Sequence, residues 1–107
     1  MLNIKQIQKE IFENKKTKGF NITDINLEFA YTFDELAEAH QAYIKKLPDV
    51  GEELADVIIY LIGLAQILNI DLEKEILNKI EKNKKREYKQ IDGVNVRTKE
   101  ALNDIYE

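Results

Sequence analysis

Apolar residues recur along this chain at intervals of three and four, the spacing that gathers them on one side of an α-helix. Ile4, Ile7, Ile11 and Phe12 predict a first helix over roughly residues 3–17. Lys15, Lys16 and Lys18 suit its negative pole, and Gly19 supplies a stop. A second helix is predicted from Thr23 as N-cap to Lys46, with Ile25, Phe29, Phe33, Leu36 and Tyr43 as its apolar stripe. Leu47-Pro48-Asp49 then breaks the pattern, because proline disfavours helix in the residue before it. The third helix, about residues 50–68, carries Leu54, Val57, Ile58, Leu61, Ile62, Leu64, Ile67 and Leu68. It is apolar on nearly every side, which predicts burial over most of its circumference. Asn69 ends it and Asp71 is placed to cap a fourth helix from Leu72 to about Tyr88, with Leu72, Ile76, Leu77 and Ile80 turned inward. In the tail, Asp92-Gly93 marks a turn and Thr98 is placed to cap a short helix ending near Tyr106. The pattern predicts an all-α fold, a four-helix bundle with core helices over about 3–88 and a short C-terminal tail over 89–107.

Composition narrows the chemistry. A chain of 107 residues reads as a single domain, 1–107, with an unfavourable ratio of surface to volume. Pairing with a second copy would bury more apolar surface, so a homodimer or homotetramer is expected. With no cysteine, disulfides and thiolate zinc sites are excluded, and a lone His40 argues against an imidazole-rich metal site. Any metal is then held through oxygen, which points to magnesium, manganese or calcium. A net charge of −4 argues against general affinity for nucleic acid. The N-terminus lacks the apolar run of a signal peptide, and the longest apolar stretch, residues 57–68, is too short to span a membrane. A cytoplasmic protein without a membrane partner is expected.

The second and third predicted helices carry similar acidic signatures. Asp34-Glu35-Leu36-Ala37-Glu38 sets Glu35 and Glu38 three residues apart, and Glu52-Glu53-Leu54-Ala55-Asp56 does the same for Glu53 and Asp56. Residues so spaced lie about 60° apart around a helix, so each pair projects from one face. Taken singly, such pairs are ordinary solvated charges. Asp56, however, is followed by Val57-Ile58-Ile59 in a helix with little room for an exposed face. A buried carboxylate stays ionised only with compensation, and a divalent cation is the simplest form of it. Two converging pairs would place four carboxylates around one or two ions.

The runs Phe33-Asp34-Glu35-Leu36-Ala37-Glu38-Ala39 and Gly51-Glu52-Glu53-Leu54-Ala55-Asp56-Val57-Ile58-Ile59-Tyr60 resemble the MazG-like superfamily of nucleotide pyrophosphohydrolases, with 14 residues between Glu38 and Glu53. Lys79-Ile80-Glu81-Lys82-Asn83 is similar to that family's Lys-x-x-x-Asn ending. The resemblance covers roughly residues 1–88. It departs at Asp34, where the family has Glu, and in the absence of tryptophan, which some members stack on the base; Phe20 is a substitute here. The resemblance implies the all-α nucleoside triphosphate pyrophosphatase fold. It also implies a reaction in which a nucleoside triphosphate and water give the monophosphate and pyrophosphate, in service of nucleotide-pool clearance. It implies Mg²⁺, with Mn²⁺ as substitute, held by Glu35, Glu38, Glu53 and Asp56, and a catalytic role for Glu35 or Glu38 in activating water.

Tyr60, one turn beyond Asp56, reads either as a contact to the sugar or base or as a core tyrosine. Lys79 and Asn83 share a face of the fourth helix and are assigned to the substrate, while Lys82 and Arg86 share an adjacent face from which phosphates are also within reach. Lys84 and Lys85 read as a solvated helix end, His40 as a surface or interface residue, and Phe12, Phe29 and Phe33 as core. Two other functions fit the same pattern. One is a non-enzymatic helical dimerisation or regulatory module whose acid pairs are surface charge. The other is a phosphoribosyl-ATP pyrophosphohydrolase-like activity on the same scaffold.

Overall fold

The computed structural model describes residues 1–99, which form four α-helices followed by one β-hairpin. The helices are α1 (Ile4–Thr17), α2 (Ile25–Ile44), α3 (Val50–Ile67) and α4 (Leu72–Lys85). The fold class is all-α, as the periodicity predicts. The chain divides into two compact units, Met1–Leu72 and Glu73–Glu107. No single helix among the described residues is long and apolar enough to cross a membrane.

In the first unit α3 packs against both α1 and α2. Side chains start the first two helices. The Asn3 carboxamide accepts the Gln6 N–H at 3.1 Å, and the Asp24 carboxylate accepts the Leu27 N–H at 3.1 Å. The second N-cap is therefore Asp24 rather than Thr23. Asn21 decides the position: its Oδ1 accepts the Asp24 N–H at 3.0 Å and holds that residue at the helix entrance.

All three helices of this unit end in the same way. A residue in left-handed backbone follows the C-cap: Gly19 at φ 72°, Lys46 at φ 56° and Asn69 at φ 58°. In each case the next N–H turns back five residues, Phe20 to Lys15, Leu47 to Ala42 and Ile70 to Ala65, at 2.8–2.9 Å. This is the Schellman arrangement, which satisfies carbonyls that the helix leaves open. Gly19 and Asn69 therefore act as expected. The stop for α2 is Lys46, two residues before Pro48.

Ala39 and Ala42 of α2 and Ile62, Leu64 and Ala65 of α3 form the buried apolar core. Small residues set how closely the helices approach. A Cβ on Gly63 would lie 3.1 Å from Ile11 Cγ2, so α1 meets α3 where a side chain is missing. Gln8 of α1 is buried and ties that helix to the end of α3 and the turn after it: its amide nitrogen donates to Gln66 Oε1 and to the Ile70 carbonyl, and its Oε1 accepts the Leu72 N–H.

Burial differs from expectation in an informative way. Phe33 is 69 % exposed, and Phe29, Leu36, Tyr43, Leu54, Ile58, Ile59 and Leu61 are exposed as well. Phe29 and Phe33 are thus not core in the single chain, and α3 is buried fully only over its Ile62–Ala65 stretch. Phe12 is half-buried. Three helices of this length cannot enclose so much apolar surface.

In the second unit α4 stops at Lys85 instead of Tyr88, and Ile76, Leu77 and Ile80 are exposed rather than turned inward. Strand β1 (Glu87–Ile91) pairs antiparallel with β2 (Val94–Lys99). Ile91 faces Val94 across Asp92-Gly93, whose φ values of 51° and 78° are those of a tight hairpin turn. The turn was legible, but Thr98 lies in β2, where a helix cap is expected. Val94, Val96 and Thr98 alternate with polar residues, a period of two that favours a strand. The remainder of the predicted tail helix falls outside the described residues.

Candidate functional site

One face of α2 reads Glu28, Thr32, Glu35, Ala39 and Ala42, positions that return to the same side of a helix. Four of them are buried and Glu35 is half-buried. The matching stripe on α3 is Glu53, Asp56 and Tyr60, all half-buried, followed by buried Gly63 and Leu64. On α2 the small apolar residues come last; on α3 the acidic residues come first. The helices run antiparallel: Tyr31 meets Tyr60 edge to face, ring centroids 6.3 Å apart, and further along α2 Glu38 meets Glu53, two turns earlier on α3. The acidic stretches of the two stripes are thereby brought together.

Glu35, Glu38 and Glu53 each place a carboxylate oxygen within 4.8 Å of the others. Asp56 lies outside that set, yet its charge bears on Glu35, Glu53 and Tyr60. Desolvation pushes the Glu35 carboxyl above its ordinary value, and the charges of Glu38 and Asp56, a hydrogen bond with Glu38 and the charge of Glu53 push it further. Glu53 is raised in the same direction, first by desolvation and then by Asp49, Asp56, Glu38 and Glu52. Glu53 Oε2 and Asp49 Oδ1 are buried and make no hydrogen bond. Asp49 opens α3 without capping it.

These features test whether a metal suits the site. Converging carboxylates, destabilised by desolvation and mutual repulsion, with a buried oxygen lacking a partner, make a donor set that a hard divalent cation relieves. The residues fit such an ion.

Next to the acids, toward the start of α2, lies a cavity of about 240 Å³ lined by Lys15, Phe20, Asn21, Glu28, Tyr31 and Tyr60. A second, of about 160 Å³, shares Lys15, Phe20 and Tyr60 and adds Ile11, Asn14 and Ile59. Tyr60 stands between the cavities and the carboxylates. Desolvation raises its hydroxyl pKa, and the Glu35 charge raises it further, ahead of Tyr31, Asp56 and Glu38. The two readings of Tyr60 thus merge, because it packs on Tyr31 and also lines the cavity beside the acids. Phe20 is exposed at the cavity rim.

Glu28, 1 % exposed, is the most buried charge described. Lys15 pairs with its Oε1, and Asn21 Nδ2 donates to its Oε2 at 3.1 Å. The Lys15 ammonium also lies 5.2 Å from the centre of the Tyr60 ring. Burial lowers the Lys15 pKa. Sequence reasoning passed over this group: Lys15 read as a helix-end charge, and Asn21, Glu28 and Tyr31 were not singled out. A signal did exist, since Glu28 precedes Glu35 by seven residues on the same stripe.

Lys79, Asn83 and Arg86 belong to the second unit. Arg86 follows the end of α4, so the helical face expected for Lys82 and Arg86 stops short of Arg86. Its guanidinium instead folds back and donates to Asn83 Oδ1 at 2.9 Å. His40 is exposed, as expected.

Comparison with known proteins adds one match. No curated protein and no solved structure matches the chain. The family described as MazG-like matches residues 30–100, a segment that holds both acid pairs and the Lys-x-x-x-Asn run of α4. With its matched segment covering well over half the sequence, the chain belongs to the MazG-like family.

Proposed function

We propose that this protein is a Mg²⁺-dependent nucleoside triphosphate pyrophosphohydrolase that converts a triphosphate and water to the monophosphate and pyrophosphate, clearing nucleotides from the pool. The observation that carries the reading is the convergence of Glu35, Glu38 and Glu53 beside a cavity walled by aromatic rings. Along α2, Glu28 and Glu35 are separated by seven residues, about 10 Å of helix. That distance suits a nucleotide with its base at one end and its phosphates at the other.

Glu35, Glu38, Glu53 and Asp56 would hold the ion, with Mn²⁺ as a substitute for Mg²⁺. When bound, the ion offsets phosphate charge and polarises the phosphoryl oxygens. Glu35 and Glu38, one turn apart, orient the attacking water and take its proton. Tyr60 and Phe20 bracket the base, and the aromatic walls keep bulk water from its faces. The family resemblance alone assigns Lys79 and Asn83, both in the second unit, to substrate binding.

The exposed apolar residues of α2 and α3, among them Phe33, Leu36, Leu54 and Ile58, support a homodimer or homotetramer. Light scattering at micromolar concentration should give a multiple of 12.5 kDa. The activity is tested with a panel of ribo- and deoxynucleoside triphosphates in Mg²⁺ or Mn²⁺. Pyrophosphate should be released from at least one of them and the release should stop with EDTA; turnover unchanged after thorough chelation would overturn the proposal.

A further inference from the structure

Among the described residues, the Lys15–Glu28 pair is a buried charged group that this chemistry leaves without a role. It precedes the family-matched segment, residues 30–100, and lies at the cavity rather than among the four acids. As a pin between α1 and α2 it is a poor choice, because a largely buried ion pair contributes little over an apolar contact of the same size. Its position suggests a second use. Glu28 is held in place by Lys15 and by Asn21, which is itself fixed by its bonds at the α2 entrance. Each carboxylate oxygen can accept more than one hydrogen bond, and an ammonium carries three donors. The cavity thus contains, side by side, a charged donor and a charged acceptor, between Phe20 at the rim and the Tyr31–Tyr60 ring pair.

That arrangement complements the Watson–Crick edge of a nucleobase, which sets an N–H donor beside a carbonyl or ring-nitrogen acceptor. Building on the proposed nucleotide site, we infer that Lys15 and Glu28 read this edge, Lys15 donating to the base acceptor and Glu28 accepting from the base N–H. Base selection then resides in residues of α1 and the start of α2, apart from the acids that carry the chemistry. Charge-assisted bonds in the cavity discriminate against a base whose edge does not match, since its own polar groups then leave water without gaining a partner.

The test is equilibrium binding of the four deoxynucleoside monophosphates in Mg²⁺. Alongside them are measured ribose 5-phosphate, which lacks a base, and the tightest ligand methylated on its Watson–Crick edge. The wild-type protein should bind the intact nucleotide at least about tenfold more tightly than the edge-methylated one. In Glu28→Gln and Lys15→Met that ratio should shrink to within about threefold, while affinity for ribose 5-phosphate stays near wild type. A purely structural pair would instead weaken all ligands together and preserve the ratio, which would overturn the inference. So would equal wild-type affinity for intact and methylated bases, a comparison that holds even if both variants fail to fold. Binding with edge dependence but without pyrophosphate release would sink the hydrolase and leave the base reader standing. Release without edge dependence would do the reverse.

Discussion

Glu35→Gln separates the requirements of catalysis from those of folding. Glu35 and its neighbours Glu38 and Glu53 bring carboxylate oxygens within 4.8 Å of one another. Two unit charges at that distance repel by about 1 kcal/mol in water and by about 3–4 kcal/mol at an effective dielectric near 20. Glu35 is half-exposed, so the lower figure applies after screening, and the charge of Asp56 adds to the sum. Glutamine keeps the size and can still hydrogen-bond Glu38. Without metal the variant should therefore be more stable than the wild type by about 1–2 kcal/mol, a rise in Tm of roughly 5–10 °C for a domain of this size. With Mg²⁺ the order should narrow or invert, because the variant loses a ligand. Turnover should fall by about 100-fold or more. The assay is thermal unfolding in EDTA and in Mg²⁺, paired with kcat/KM. A metal-free Tm below the wild type together with near-normal turnover would refute the reasoning, since it would make Glu35 a structural partner instead of a strained ligand.

Three further outcomes follow from the same geometry. Glu35 and Glu53 have raised pKa values in the folded chain, so above the ordinary glutamate value of 4.5 the folded state holds more protons than the unfolded one. Metal-free stability should accordingly fall as pH rises through that window, relative to Glu35→Gln, and Mg²⁺ should abolish the difference; a metal-free stability that rises there more steeply than in the variant would contradict the repulsion. Asp56→Asn should likewise cost turnover without lowering the metal-free Tm, and a less stable variant with normal turnover would remove Asp56 from the site. Gly63→Ala gains about 1 kcal/mol of helix propensity but forces a Cβ to 3.1 Å from Ile11 Cγ2, an overpacking cost of about 1–3 kcal/mol. Net destabilisation by denaturant unfolding is expected, and it should be smaller in an Ile11→Ala background.

The parts of this molecule that could be read in advance are those with a local cause. Helical periodicity located α1 to α4 because each stripe repeats over several turns, and Asp92-Gly93 announced its turn because few other dipeptides tolerate two positive φ values. The acid pairs were visible because both members lie on one helix. What escaped depended on neighbours distant in sequence. Lys15 resembles any basic residue near a helix end until α2 brings Glu28 against it. The end of α2 near Lys46 was legible, but its left-handed backbone was not, because a lysine carries no local signal for a positive φ. The apolar stripes at Phe29, Phe33 and Ile76 predict a core, yet periodicity records only that a face is apolar, whether its cover is the same chain or another copy. The hairpin was missed because Val94, Val96 and Thr98 give only three beats of alternation, too few to outweigh the expectation of a helical tail.

The central claim is that the carboxylate cluster directs water to the bond between the α- and β-phosphates. ³¹P NMR of a complete reaction with Mg²⁺ and the preferred triphosphate tests it directly. The account predicts nucleoside monophosphate and pyrophosphate as the first products, in equal amounts, from the wild type and not from Glu35→Gln. Nucleoside diphosphate and inorganic phosphate as first products would place the attack at the terminal phosphate and contradict it.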